Sequence, residues 1–155
     1  MSLRFLERLT REWEDGWSLA DLGTGSGILA LAAKRFGAGR VIGIDFDPTA
    51  ISIAKANARL NKIDNADFQS ADVRRWKPAT GWDIIGANLY SELLIEILPK
   101  LRRSNWLILS GVLNTREKEF LRALRRKNIT IIKVNRRGKW IAMLANSRCA
   151  LPVTP

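Results

Sequence analysis

The sequence predicts an α/β chain built on a doubly wound, mostly parallel seven-stranded sheet, with helices on both faces and a C-terminal antiparallel hairpin. Three observations predict it. Short strand patterns alternate with helical ones along the chain, and a Gly-rich stretch, Asp21-Leu22-Gly23-Thr24-Gly25-Ser26-Gly27, joins the first strand to a helix. Near the C-terminus, two alternating apolar segments flank a turn.

Each element follows from its residues. Leu3, Leu6, Leu9 and Trp13 fall at helical spacing, which predicts an amphipathic helix over residues 3–14 packing under the sheet. Ser18 to Leu22 reads as a short buried strand, and the Ala- and Leu-rich run from Ile28 to Phe36 as the following helix. Arg40 to Ile44 is the second strand. Asp47-Pro48 then opens a helix as N-cap and first helical residue, with Ile51, Ala54 and Ala58 on its inner face. Ala66 to Ser70, Asp83 to Asn88 and Trp106 to Ser110 read as the third, fourth and fifth strands, with a helix from Ser91 to Leu98 between the last two. Asn114-x-x-Glu117 resembles a capping box for a basic helix ending near Lys127. Ile129 to Asn135 and Trp140 to Ala145, joined at Arg136-Arg137-Gly138, form the hairpin.

Composition narrows the chemistry. A chain of 155 residues suits one domain with a substantial core, and a stretch of apolar residues long enough to span a bilayer is missing. The charged N-terminal stretch does not resemble a signal peptide, so a cytoplasmic location is expected. With 0 histidines and 1 cysteine, a Ser-His-Asp mechanism, a histidine-held metal and a zinc site all lack their ligands, and no metal is expected. Cys149, in the Pro-containing tail, reads as an inert thiol. Net charge is +11, and from Lys100 to Lys139 there are 13 Lys or Arg against Glu117 and Glu119. Such a basic C-terminal third either attracts RNA, a ribosomal particle or acidic protein, or is a solvated face.

The Gly-rich turn carries the most information. Glycines there admit backbone angles closed to other residues and allow a ligand to approach the main chain, while the helix start offers unpaired N–H groups. Asp45, closing the second strand in Gly43-Ile44-Asp45-Phe46-Asp47-Pro48, is placed to accept both hydroxyls of a ribose. A pocket for an adenosine-bearing cofactor follows. The spacing departs from the dinucleotide fingerprint G-x-G-x-x-G, because the sixth place from Gly23 is Ile28 and the third glycine stands one position early at Gly27. The pattern D-x-G-x-G-x-G instead resembles the first motif of S-adenosylmethionine-dependent methyltransferases of the Rossmann-like class.

The remaining site residues follow from that pocket. Asp21, Gly23, Thr24, Gly25 and Gly27 form the turn, with Asp21 either fixing it or meeting the cofactor's ammonium through water. Asp72 follows the third strand, where this fold usually sets an acid or amide against the adenine amino group. Phe46 and Val73 either flank the adenine ring or belong to the core. Asn88 ends the fourth strand in Ala87-Asn88-Leu89-Tyr90, at the edge toward which the methyl group would point. It would aim an amine nucleophile through its amide oxygen, hold the cofactor, or cap the next helix; cofactor contact is the favoured reading. Tyr90 adds a polar contact, a wall or simple packing.

Several segments in order narrow the resemblance. Asp21 to Ala33, Gly43 to Pro48, Ala87-Asn88-Leu89, Leu109-Ser110-Gly111-Val112-Leu113 and Arg137-Gly138-Lys139-Trp140-Ile141-Ala142 resemble the catalytic domain of the methyltransferases that modify large-subunit ribosomal protein eleven. The resemblance implies S-adenosylmethionine-dependent methylation of lysine and N-terminal amines of a ribosomal protein, with cofactor residues at Gly23, Asp45 and Asn88. The expectation is one catalytic domain over residues 1–155, with 146–155 as a tail. The family's N-terminal substrate-binding domain and its Thr-containing loop before the core are absent from these residues. Asn88-Leu89-Tyr90 departs from the family's Asn-Ile-Leu, which bears on substrate identity. An RNA methyltransferase and a non-catalytic RNA- or protein-binding module on the same fold are the alternatives.

Overall fold

The computed structural model describes residues 1–77, 81–102 and 104–147. It contains helix α1 (Ser2–Thr10), strand β1 (Ser18–Leu22), α2 (Ile28–Arg35), β2 (Arg40–Asp45), α3 (Pro48–Leu60), β3 (Ala66–Ser70), β4 (Trp82–Asn88), α4 (Ser91–Leu101), β5 (Ser104–Leu113), α5 (Glu117–Arg126), β6 (Thr130–Arg137) and β7 (Trp140–Asn146). The seven strands run in the order β3-β2-β1-β4-β5-β7-β6. The first five are parallel and β6 and β7 form an antiparallel hairpin, as the sequence predicts, and β7 is also antiparallel to β5.

Two apolar layers cover the sheet. On one face α1, α2 and α3 contribute Phe5, Leu6, Leu29, Ala30, Ala33, Ile51, Ala54 and Ala58. On the other, α4 and α5 contribute Leu94, Ile97, Leu98, Phe120 and Leu124. Strands β1 and β4 are buried along almost their whole length, which suits apolar strands covered on both faces. Phe120 is fully buried, and truncating such a ring to Ala costs about 3–5 kcal/mol. No helix among the described residues is long and apolar enough to cross a membrane.

Strand order reverses between β1 and β4. Connections from β1 run toward β2 and those from β4 toward β5, so the carboxyl ends of these neighbours open a crevice at a switch point. The Gly-rich turn leaves β1 there, and Asn88 ends β4 beside it.

Local geometry departs from the sequence reading in four places. Helix α1 stops at Thr10, and Phe5, Leu6 and Thr10 form its buried side while Leu3 is exposed. Trp13 lies beyond the helix, edge-on to Trp17 with ring centres 5.8 Å apart. Asn114 caps nothing: Asn114–Arg116 forms a 3-10 turn, α5 begins at Glu117, and the Glu117 carboxylate is drawn across to Arg136. The hairpin turn is Gly138-Lys139, inside the Arg137–Trp140 pair, with Gly138 at φ +58 as a tight hairpin's first turn position prefers. By contrast, Asp47 caps α3 as the sequence indicates, its carboxylate accepting the Thr49 amide at 2.8 Å ahead of Pro48. Cys149 and the end of the tail lie outside the described residues.

Candidate active site

The site is assembled from the ends of β1, β2, β3 and β4. After β1, the amides of Gly23 and Thr24 both donate to the Ile44 carbonyl, at 2.8 and 2.9 Å, tying the turn to the end of β2. Gly23, Gly25 and Gly27 all have positive φ, a backbone region that L side chains enter only with strain. A Cβ at Gly23 would lie 2.5 Å from Leu89 Cδ2 and 3.7 Å from the Asn88 carbonyl oxygen, so the turn also abuts the end of β4. At Gly25 nothing lies within 4 Å, and that face of the turn is open.

Two carboxylates shape the turn. Asp21 is buried, and its Oδ2 accepts the Thr24 hydroxyl at 2.7 Å. Burial pushes its carboxyl up to about 6, against the opposing pull of the Thr24 hydroxyl and the Ala30 backbone, with the Asp45 charge adding to the rise. Asp21 therefore fixes the turn from behind. Asp45 accepts the Gly25 amide on Oδ2 at 2.9 Å and the Asp47 amide on Oδ1 at 3.0 Å. Each carboxylate oxygen has two lone pairs, so one acceptor position per oxygen remains for a ligand hydroxyl.

Phe46 and Val73 separate. Phe46, next to Asp45, is 78% exposed, which overturns a core role for it. Val73 has its side chain buried in the α4–α5 layer. Asp72, the chain neighbour of Val73, accepts the Arg74 amide on its Oδ1 at 2.8 Å. The Arg74 guanidinium then reaches Glu96 at 3.0 Å and the Tyr90 hydroxyl at 3.2 Å, linking the β3 end to the β4 end.

Asn88 and Tyr90 face a different space. A cleft of about 930 Å³ opens beside the β4 end, lined by Asn88, Leu89, Tyr90, Ser110, Gly111, Arg137, Gly138 and Trp140, with Met1 and Ser2 of the N-terminal segment. The Asn88 amide oxygen accepts the Ser110 hydroxyl at 3.0 Å, and Ser2 donates to Ser110 at 2.9 Å. Asn88 does not cap α4, whose N-cap is Tyr90. Tyr90 is 54% exposed and forms a wall rather than packing in the core.

Ser110, Leu89 and Gly111 complete the arrangement. The pairing of β5 with β7 shifts register between Ser110 and Val112, a bulge whose extra residue is Gly111 at φ +88. A Cβ there would meet the Leu89 carbonyl oxygen at 2.5 Å. The glycine thus admits the Leu89 backbone, whose amide donates to the Ser110 carbonyl at 3.1 Å. The sequence reading had no role for these residues beyond family likeness. A polar residue followed by Gly inside an apolar strand was the available signal. Among the described residues, no group of three or more Asp, Glu, Cys or His is placed to hold a metal ion.

The comparisons give this geometry a family. A family model described as ribosomal protein L11 methyltransferase (PrmA) matches residues 1–148. The chain belongs to that family. A curated ribosomal protein L11 methyltransferase from Pelobacter propionicus is 38% identical over 132 residues, covering 82% of this chain and 42% of its own length. Another, from Dictyoglomus thermophilum, is 32% identical over 146 residues, which are 92% of this chain and 48% of the relative. The chain thus spans about half the length of the curated relatives it matches. Among solved structures, the ribosomal protein L11 methylase of Lactobacillus delbrueckii subsp. bulgaricus superposes with a TM-score of 0.81 at 30% identity, over 93% of this chain and 78% of that one. The Leu109–Leu113 segment that carries part of the resemblance to the L11 methyltransferases holds the Gly111 bulge and Ser110, which strand register sets against Asn88.

Proposed function

We propose that the chain binds S-adenosylmethionine at the glycine turn and transfers its methyl group to an amine nitrogen of a ribosomal protein, the substrate named for its relatives. One observation carries the reading. Asn88 and Leu89 border the cleft, and both also abut the glycine turn, so a cofactor at the turn and an acceptor in the cleft would meet at the β4 end.

The residues present fit such a cofactor. Gly25 leaves open space where a side chain would intrude, Asp45 keeps free acceptor positions for ribose hydroxyls, and Phe46 offers an exposed ring face. Asp21, Thr24 and Gly27 hold the turn, Asp72 serves the adenine side, and Gly23 lets the main chain approach. When bound, the cofactor supplies a methyl group already activated by its sulfonium.

The chain's own part is positioning and exclusion of water. An attacking amine must arrive unprotonated, and Asn88 presents an amide whose orientation Ser110 fixes. Tyr90 and Trp140 wall the cleft and reduce solvation of the nitrogen. On this reading the matched residues are the catalytic unit of a cytoplasmic enzyme, and the remaining length of the relatives serves substrate recruitment.

A second reading, methylation of RNA, is favoured by Arg137 beside an exposed Trp140 in the same cleft. Calorimetry with S-adenosylmethionine, S-adenosylhomocysteine and NAD, followed by transfer of labelled methyl to purified ribosomal protein L11 or to ribosomal RNA, tests both. Binding of the homocysteine form but not NAD, with label in protein amines, is the expected result. Label in RNA alone would replace the protein acceptor, and no binding of either adenosyl compound would sink the cofactor assignment.

A further inference from the structure

The surface between α1 and β6 brings cations together from two periodicities. Arg4 and Arg8 stand one helical turn apart on α1, and both are exposed. On β6 alternate residues share a face. Lys133 is registered against Leu144 and Asn135 against Ala142, and Leu144 and Ala142 pack in the layer that contains α1. Arg137 continues that alternation to the hairpin end, opposite Trp140. Because β6 is the last strand of the sheet, this wall stays open on its outer side.

A groove of about 300 Å³ results, bordered by Arg4, Arg8, Lys133, Asn135, Arg136 and Arg137. Arg136 is engaged by Glu117. No acid borders the groove, and among the described residues no carboxylate pairs with Arg4, Arg8, Lys133 or Arg137. The groove shares Met1 and Arg137 with the large cleft, where Trp140 is 43% exposed and the Lys139 ammonium lies 5.6 Å from its ring centre.

We propose that this groove binds the phosphodiester backbone of single-stranded RNA, which runs along β6 and ends with a base at Trp140. Arg4 and Arg8 lie about 6 Å apart along α1, and Lys133 and Arg137 about 13 Å apart along β6 with Asn135 between them, so the cations of the two walls fall at about one and two steps of the same spacing. Such a repeat suits a chain with one charge per unit. Three of the four unpaired cations are arginines, whose planar forks match phosphate oxygens in pairs. An acidic peptide would also be drawn by the charge, but it has no use for an exposed indole at the end of the row, whereas a nucleobase stacks on one. The site lies apart from the glycine turn and stands whether or not the acceptor is a protein.

The test is fluorescence anisotropy of a short labelled single-stranded RNA titrated with the full chain across a range of salt. The paired variant Arg4→Gln with Lys133→Gln is compared with Arg125→Gln with Lys127→Gln, which lies on the α5 side. The groove pair should lower affinity about tenfold or more and make the slope of log affinity against log salt shallower by about 1.4, the value for two lost phosphate contacts on a single strand. Lys133→Gln alone should give half that change, and the α5 pair should leave affinity within about twofold. Calorimetric binding of S-adenosylhomocysteine should be unchanged in every variant, which separates this site from the cofactor assignment. Equal losses from both pairs would reduce the groove to a diffuse field. Polyglutamate competing as well as unlabelled RNA would make it a surface for acidic protein, and an absence of RNA binding at low salt would also overturn the proposal.

Discussion

Ser110 and Asn88 are register partners on adjacent parallel strands, and the Ser110 hydroxyl donates to the Asn88 amide oxygen at 3.0 Å. The amide is thereby held at the boundary between the glycine turn and the cleft. Ser110→Ala removes that donor while leaving the strand intact, and one such hydrogen bond is worth about 1 kcal/mol. Methyl transfer should slow by roughly fivefold to tenfold. Asn88→Ala should cost more, because it removes the amide itself. Steady-state kinetics with a thermal melt check this, and a Ser110→Ala enzyme with undiminished turnover would remove the hydroxyl from the positioning role.

Asp45 has two jobs, and they separate by substitution. Its carboxylate holds the Gly25 and Asp47 amides, and each of its oxygens keeps a second acceptor position, assigned above to the ribose. Asp45→Ala orphans both amides and removes the ribose acceptors. S-adenosylhomocysteine affinity should fall by roughly a hundredfold, from about 2–3 kcal/mol of lost charge-assisted bonding. Asp45→Asn keeps one acceptor oxygen and should fall between the two. Unchanged affinity of Asp45→Ala in calorimetry would place the ribose elsewhere.

Asp21 makes stability depend on pH in an unusual direction. Its carboxyl rises from 3.8 to about 6 in the fold, mainly because burial disfavours the charge. Between those values the folded chain holds a proton that the unfolded chain has released. The Asp21 contribution is therefore fully present below pH 3.8 and is lost as pH rises through about 6, by an amount on the order of 3 kcal/mol. Asp21→Asn should flatten this component, seen as the difference between variant and wild-type urea midpoints on either side of the window. Parallel pH profiles for the two proteins would show that folding does not raise the Asp21 carboxyl above its ordinary value.

The same residues show what a sequence exposes and what it hides. Strand and helix order, the Asp47–Pro48 cap and the glycine turn were legible because each rests on local chemistry: apolar runs, a side-chain cap, backbone freedom. The Asn114 capping box failed because a distant cation, Arg136, holds the Glu117 carboxylate below its usual range and draws it across the chain. The inner side of α1 was misplaced since Phe5 and Leu3 are both apolar, and only the sheet decides which is covered. Ser110 meets Asn88, and Arg4 shares a groove with Lys133, across separations that no local pattern encodes. The site's second half is therefore a product of strand register.

Gly25 and Gly111 distinguish binding from folding more sharply than any charged residue. Both have positive φ, at +55 and +88. An alanine at Gly111 adds a Cβ 2.5 Å from the Leu89 carbonyl oxygen, a backbone atom at the bulge that cannot swing aside. Strain and clash together should destabilise the chain by about 3 kcal/mol or more, and the loss of Leu89 and Ser110 geometry should follow. At Gly25 the new methyl meets nothing within 4 Å, so only the left-handed backbone is penalised, at about 1–2 kcal/mol. Gly25→Ala should therefore remain folded at room temperature yet bind S-adenosylhomocysteine at least tenfold more weakly, because its methyl projects into the space assigned to the ligand. Melting temperature and calorimetric affinity measured on the two variants should move in opposite proportion. A Gly25→Ala chain that binds the ligand normally would mean that the open side of the turn does not face the cofactor, and the Asp45 and Phe46 assignments would fall with it.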